Sequence, residues 1–178
     1  MYLTFDTETT GLPKNYSAPI SETDNWPRMV QIAWQINDKS GNLISSESHI
    51  IKPKGYTIPF NAEKIHGIST QKAIDKGKEI KYVLEKFNNE LKKNKYIIGH
   101  NINFDINILG SEFYRSEIKT SLLEKEPIDT GLISKEFCQL EGGLGGKLKM
   151  PKLIELHNIL FESDFSDAHD ARADVNAT

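Results

Sequence analysis

Three groups of residues in this sequence have the types and spacing for divalent-cation chemistry. Asp6-Thr7-Glu8 ends an apolar run, Tyr2-Leu3-Thr4-Phe5, that reads as a β-strand. Side chains at i and i+2 of a strand share a face, so the two carboxylates stand side by side. Like charges that close push a pKa upward, and a cation between them removes the penalty. Thr9-Thr10-Gly11 then closes the strand in a tight turn. The second group is Gly99-His100-Asn101-Ile102-Asn103-Phe104-Asp105. It places Asp105 where a buried strand passes into a helix, the kind of junction at which α/β sheets gather ligands. The third group runs from Asp167 to Asp174. A last helix is expected to start near Asp167, with Asp167 and Asp170 as a capping pair and His169 in the first turn. Five residues span about 7.5 Å along a helix. His169 and Asp174 therefore need not serve one ion: one ligates metal while the other reaches a water beyond it.

These groups need a scaffold of strands and helices. Met29 to Asn37 alternates, with Val30, Ile32, Trp34 and Ile36 on one face, which predicts a half-buried strand. Asp38 to Asn42 is a turn and Leu43 to Lys52 the returning strand. Residues 13–27 are polar, carry three prolines and are too long for a hairpin loop. They read as a surface excursion near the site, plugged by Trp26. A helical turn capped by Asn61 follows, then a second helix start at Ser69-Thr70. Ile80, Val83, Leu84, Phe87 and Leu91 mark a longer amphipathic helix. Tyr96 to Gly99 and Pro127 to Asp129 read as short strands. Asn103 to Glu117, Thr130 to Phe137 and Lys152 to Leu160 read as helices. Three strands followed by alternating helices and strands predict an α/β mixed sheet.

At 178 residues, 38% apolar and 26% charged, the chain reads as one folded domain spanning residues 1–178. No apolar run has membrane-span length and no signal-peptide pattern opens the sequence, so a cytoplasmic protein is expected. The last helix carries no stop signal before Thr178, so it is read as truncated there. Cys138, the single cysteine, reads as a small buried residue. The net charge of −3 argues against a nucleic-acid partner only if the acids are free. Two bound divalent ions would bring the balance to about +1. The clusters Lys92-Lys93-Asn94-Lys95 and Lys147-Leu148-Lys149 read as solvated surface. Glu141 to Lys147 imitates a phosphate loop but fails it at Glu141 and Leu148, and reads as a loop bordering the site. No Cys/His cluster suggests zinc.

Asp6-Thr7-Glu8, Asp105 and His169-x-x-x-x-Asp174 together resemble the three motifs of the DEDDh-type 3′–5′ exonuclease family. That group includes the proofreading epsilon subunit of DNA polymerase III, ribonuclease T and oligoribonuclease. Ile65-His66-Gly67-Ile68 extends the resemblance, which covers nearly the whole chain. It implies a ribonuclease H-like fold, a five-stranded mixed sheet flanked by helices. It also implies that Asp6, Glu8, Asp105 and Asp174 hold two Mg²⁺ or Mn²⁺ ions, hard cations suited to oxygen ligands. His169 would be the general base for the attacking water, as an imidazole titrating near about 6.5 allows. Thr9 (through its backbone), Leu12, His66 and Phe104 would meet the terminal nucleotide, with Leu12 as a wedge and Phe104 by stacking. Without the motif, Leu12 and Phe104 would read as core; His66 reads equally as substrate contact or turn support, while His49 and His157 read as structural or surface residues.

The expected activity is release of 5′-mononucleotides from the 3′ end of DNA in proofreading or repair. The expected partners are a single-stranded 3′ end and a polymerase subunit, although the epsilon subunit's tethering tail has no counterpart here. An RNA 3′ exonuclease is the alternative within the class, since no residue decides the sugar. A non-catalytic 3′-end-binding module is the alternative outside it, disfavoured because binding needs no base.

Overall fold

A computed structural model describes residues 1–163, 165 and 169–178. Strands β1 (Tyr2–Thr9), β2 (Met29–Asn37) and β3 (Leu43–Ile50) come first. Helices α1 (Phe60–His66), α2 (Thr70–Lys76) and α3 (Ile80–Lys93) lead to β4 (Tyr96–Gly99). Then come α4 (Ile102–Arg115), β5 (Glu126–Asp129), α5 (Thr130–Ile133), α6 (Lys135–Cys138), α7 (Leu153–Phe161) and α8 (Ala171–Ala177). The strands form one sheet in the order β3-β2-β1-β4-β5. β1 pairs antiparallel with β2 and parallel with β4, so the mixed sheet expected from the sequence is present. No helix among the described residues is long and apolar enough to cross a membrane.

One face of the sheet carries the main core. Leu3, Phe5, Ile32, Trp34 and Ile97 pack against Val83, Leu84, Phe87 and Leu91 of α3 and Ile108, Leu109 and Phe113 of α4. Phe87 meets Phe5 and Trp34 edge-on, with ring centroids 5.2 and 5.5 Å apart. Each such pair contributes about 0.5–1.5 kcal/mol beyond its buried area. The candidate carboxylates stand on the reverse side of this face.

β2 departs from the half-buried reading in two ways. Glu8 pairs with Gln31 and Thr9 with Met29, so Val30 is an extra residue opposite β1. That bulge shifts the alternation: Met29 joins the main core, while Val30 packs in a second cluster with Ile58, Ala62, Ile68 and Ala73. The reverse face of β2 is also covered, because α8 lies over Ala33 through Ala171 and Val175.

Other boundaries shift for local reasons. α1 starts one residue before Asn61, with Pro59 rather than an asparagine at its N-cap. Ser69 does cap α2, accepting from the backbone N–H of Lys72 at 3.0 Å. The stretch from Thr130 is two short helices broken at Ser134, not one. Its hydroxyl donates back to the Thr130 carbonyl at 2.6 Å, competing with helix continuation. The last helix starts at Ala171 rather than near Asp167, and Asp167 itself lies outside the described residues. Cys138 is buried as expected.

The 13–27 excursion is folded down. Trp26 is 3% exposed and its indole N–H donates to the Pro19 carbonyl at 3.1 Å. Arg115 of α4 donates to the carbonyls of Thr23 and Trp26. Beside it Glu112, fully buried, accepts from Arg28 Nε at 2.8 Å and from the Met29 backbone N–H at 3.1 Å. The surface lysines Lys93, Lys95 and Lys149 pair with Glu90, Glu126 and Glu155, in line with a solvated reading.

Candidate active site

Alternation along β1 sends Leu3 and Phe5 into the core and Asp6 and Glu8 to the reverse face. The β2 neighbours of Asp6 and Glu8 are Ala33 and Gln31. Ala33 is small, so α8 lies close to the sheet there through Ala171. Gln31 fixes the helix start: its Nε2 donates to Asp170 Oδ2 at 3.2 Å, and its Oε1 accepts from the Ala171 backbone N–H at 3.4 Å. Asp170 in turn caps α8, accepting from the N–H groups of Arg172 and Ala173. Asp174, one turn on, is thereby brought to β1.

Asp6, Glu8 and Asp174 offer carboxylate oxygens that all lie within 4.8 Å of one another. Asp105 is not in that group of three. Its Oδ1 accepts from the backbone N–H of Thr7 at 3.0 Å and from the Thr7 hydroxyl at 2.6 Å. The path to it is built by Gly99, where a Cβ would lie 3.1 Å from the Phe5 carbonyl oxygen, and by Asn101 at φ 63°. Both residue types suit such positions. Asp129 holds the turn, accepting from the N–H groups of Asn101, Gly131 and Leu132.

The electrostatics are severe. Burial, then the charges of Asp105, Glu8 and Asp174, push the Asp6 carboxyl well above its ordinary range. Burial and Asp174 push Glu8 up to about 8. Burial raises Asp105 to about 7 against the opposing pull of its Thr7 hydrogen bonds. Asp174 is also raised by burial, offset by the His169 N–H. Among the described residues no lysine or arginine pairs with any of the four. Hard oxygen donors clustered without a counter-charge fit a divalent cation.

His169 lies before α8, in the left-handed region at φ 72°, and not in the first helical turn. Asp170 supplies the cap, so the helix begins after His169. Its exposed ring lines a cleft that His66 shares. His66 is 7% exposed; its Nδ1 accepts from the Ile68 N–H at 3.1 Å, and burial lowers its pKa, partly offset by the Thr9 backbone. Thr9 is buried, with its hydroxyl donating to the Gly11 carbonyl at 2.6 Å. Leu12 is 73% exposed, so it is not core, whereas Phe104 packs partly against the core. His49 bonds Glu47 and stacks on Trp34, a structural role. The glycine-rich loop closes on itself through Gly143 and Lys147, and none of its residues lines the cleft.

Sequence reasoning missed the part played by Thr7. Between two reverse-face carboxylates, its alternation sends a hydroxyl inward, where it requires an acceptor. That was the available signal for its contact with Asp105. Gln31 gave no comparable signal, because its partner lies at the far end of the sequence.

The sheet order and the carboxylates at the carboxyl end of its central strand define a ribonuclease H-like nuclease domain. The chain belongs to the exonuclease family of the ribonuclease T type, whose pattern matches residues 3–178. Among solved structures it is similar to *E. coli* exonuclease I in complex with a dT13 oligonucleotide, at 24% identity and a TM-score of 0.78, covering 99% of this chain and 39% of that one. It is similar also to the zinc-ion-bound form of an *E. coli* exonuclease I complex with single-stranded DNA, at 24% identity and a TM-score of 0.77, covering 99% and 38%. A product-bound exonuclease I aligns at 24% identity and a TM-score of 0.75, covering 99% and 41%. At this identity the likeness is one of fold, and the chain spans about two-fifths of the length of those proteins. No curated protein matches it.

Proposed function

We propose that this domain, residues 1–178, is a 3′–5′ exonuclease that hydrolyses single-stranded DNA from its 3′ end and releases 5′-mononucleotides. The observation that carries the reading is the convergence of Asp6, Glu8 and Asp174 within 4.8 Å, all with raised pKa values. Family membership supplies the reaction class. The oligonucleotide complexes of the similar exonuclease I support DNA as the substrate.

Asp6, Glu8 and Asp174, with Asp105 alongside, would hold two Mg²⁺ or Mn²⁺ ions. Bound there, such ions neutralise the carboxylates and stabilise charge on the attacking and leaving oxygens of a phosphodiester. The protein's own groups do the remaining work. Thr7 fixes Asp105 by two hydrogen bonds. Asp174 holds the backbone of His169, whose imidazole takes the proton of the attacking water. The Thr9 backbone, Leu12, His66 and Phe104 receive the terminal nucleotide, with Leu12 exposed as a wedge. On this reading the domain acts in proofreading or repair in the cytoplasm, alone or beside a polymerase subunit.

The test compares labelled single-stranded DNA and RNA of matched sequence with Mg²⁺ or Mn²⁺, with Asp6→Ala as the control. Shortening of DNA from its 3′ end, lost in Asp6→Ala, is the expected result. Equal activity in that variant overturns the metal mechanism, and cleavage of RNA alone moves the substrate to RNA.

A further inference from the structure

We propose that the cleft between α1, α2 and the start of α8 is a phosphate trough, in which Lys64, Lys72 and Arg172 hold nucleic-acid phosphates beside the carboxylate cluster. The identity of the ligand rests on the nuclease reading above. The cleft has a volume of about 770 Å³ and is lined by these three cations together with His66, His157 and His169. It therefore opens directly onto the histidine expected to act on water.

Three exposed cations meet in this one cleft. Among the described residues, Lys64, Lys72 and Arg172 pair with no carboxylate. Lys72 Nζ donates instead to the Gly67 carbonyl at 3.1 Å, and Lys64 Nζ lies 4.6 Å from the Phe60 ring centroid. The one carboxylate on the described lining, Asp170, is engaged by hydrogen bonds: its Oδ1 accepts from the N–H groups of Arg172 and Ala173, and its Oδ2 from Gln31. Cations outnumber carboxylates three to one on the described lining, and a concave surface with such an excess concentrates an anion even where net charge is negative.

Three cations on three different helices serve more than one phosphate. This favours the backbone of a bound strand over the single phosphate of a released mononucleotide.

The test measures binding of 5′-fluorescein-labelled dT16 by anisotropy across a salt series, on an Asp6→Ala background that stops hydrolysis. Lys64→Gln, Lys72→Gln and Arg172→Gln are combined; all three residues are exposed, so the fold is retained. Each lost phosphate contact lowers the slope of log K against log salt by about 0.7 for a single strand. The triple variant is therefore expected to lose about 2 from the slope. A control that removes the same charge elsewhere, Lys92→Gln with Lys93→Gln and Lys147→Gln, is expected to keep the full slope. A second arm follows binding of 5′-dTMP to the same proteins. Loss of dTMP binding with an unchanged dT16 slope assigns the trough to the released nucleotide. No change in either arm, or an equal loss in the control, overturns the proposal. A wild-type chain that cleaves nothing, yet whose dT16 binding depends on the three cations, overturns the nuclease reading and leaves the trough standing.

Discussion

The backbone N–H of His169 donates to the carboxylate of Asp174, with N···O distances of 3.2 and 3.4 Å. The imidazole takes no part in this bond, so the residue's position and its side-chain chemistry are separable. His169→Ala and His169→Gly both keep the N–H and lose the base. Both are expected to slow turnover roughly 10²–10⁴-fold while still gaining thermal stability from Mg²⁺. Glycine also suits φ 72°, so the Gly variant is expected to unfold at least as high in denaturant as the Ala variant. Near-normal turnover in either protein removes His169 as the base.

The raised carboxylates give stability a definite pH dependence. An acid whose folded pKa lies above its unfolded value contributes stability at low pH, which is lost as pH rises through the folded pKa. With Glu8 at about 8 and Asp105 at about 7, the metal-free protein is expected to lose stability from about pH 4 to about pH 8. Asp38, Glu47 and Glu155, with lowered pKa values, act below that window, while His66, also lowered, opposes the fall inside it below about pH 6.5. Thermal melts in EDTA should fall across it, and Mn²⁺ or Mg²⁺ should remove most of the fall. A Tm in EDTA that stays flat contradicts the uncompensated cluster.

Thr7→Val removes the hydroxyl donor to Asp105 while keeping the shape of a strand residue. Above about pH 8, where Asp105 is ionised, the loss of a hydrogen bond to this buried charged group is expected to cost about 1.5–3 kcal/mol, read by urea denaturation. Metal-supported activity should drop with it. A Thr7→Val protein of wild-type stability would mean that Asp105 does not depend on this bond.

Glu112 is the buried hub between Arg28, Met29 and Arg115. Glu112→Ala strands two guanidinium groups, and breaking such a pair from one side costs about 3–5 kcal/mol. Denaturant titration should show that loss, together with easier proteolysis of the 13–27 segment that Arg115 straps down.

Leu12 gives the opposite profile. At 73% exposure, Leu12→Ala should leave stability within about 0.5 kcal/mol of wild type. It should nevertheless raise KM for a 3′ terminus if the side chain is the wedge. Unaltered kinetics would remove it from the substrate contacts.

The parts of this molecule that were legible were those governed by local rules. Strand alternation placed Asp6 and Glu8 on one face, Ser69 announced α2, and the spacing of Val83, Leu84, Phe87 and Leu91 announced α3. The bulge at Val30 was hidden because Met29 and Val30 are both apolar, so a shift of one residue leaves the pattern plausible. The start of α8 was misplaced because Asp167 and Asp170 are both credible caps, and Gln31, some 140 residues away, selects the second. Glu112 reads as a surface helix residue. Its position seven residues after the buried Asp105, on the same helix face, was the one hint that it points inward.

Asp6 and Asp174 stand at opposite ends of the sequence yet share one cluster. A fragment that ends before Asp174 therefore carries two of the three clustered acids without the third. In such a fragment β1 presents Asp6 and Glu8 without their α8 partner. The order in which these residues emerge thus delays assembly of the acidic cluster until α8 has been made.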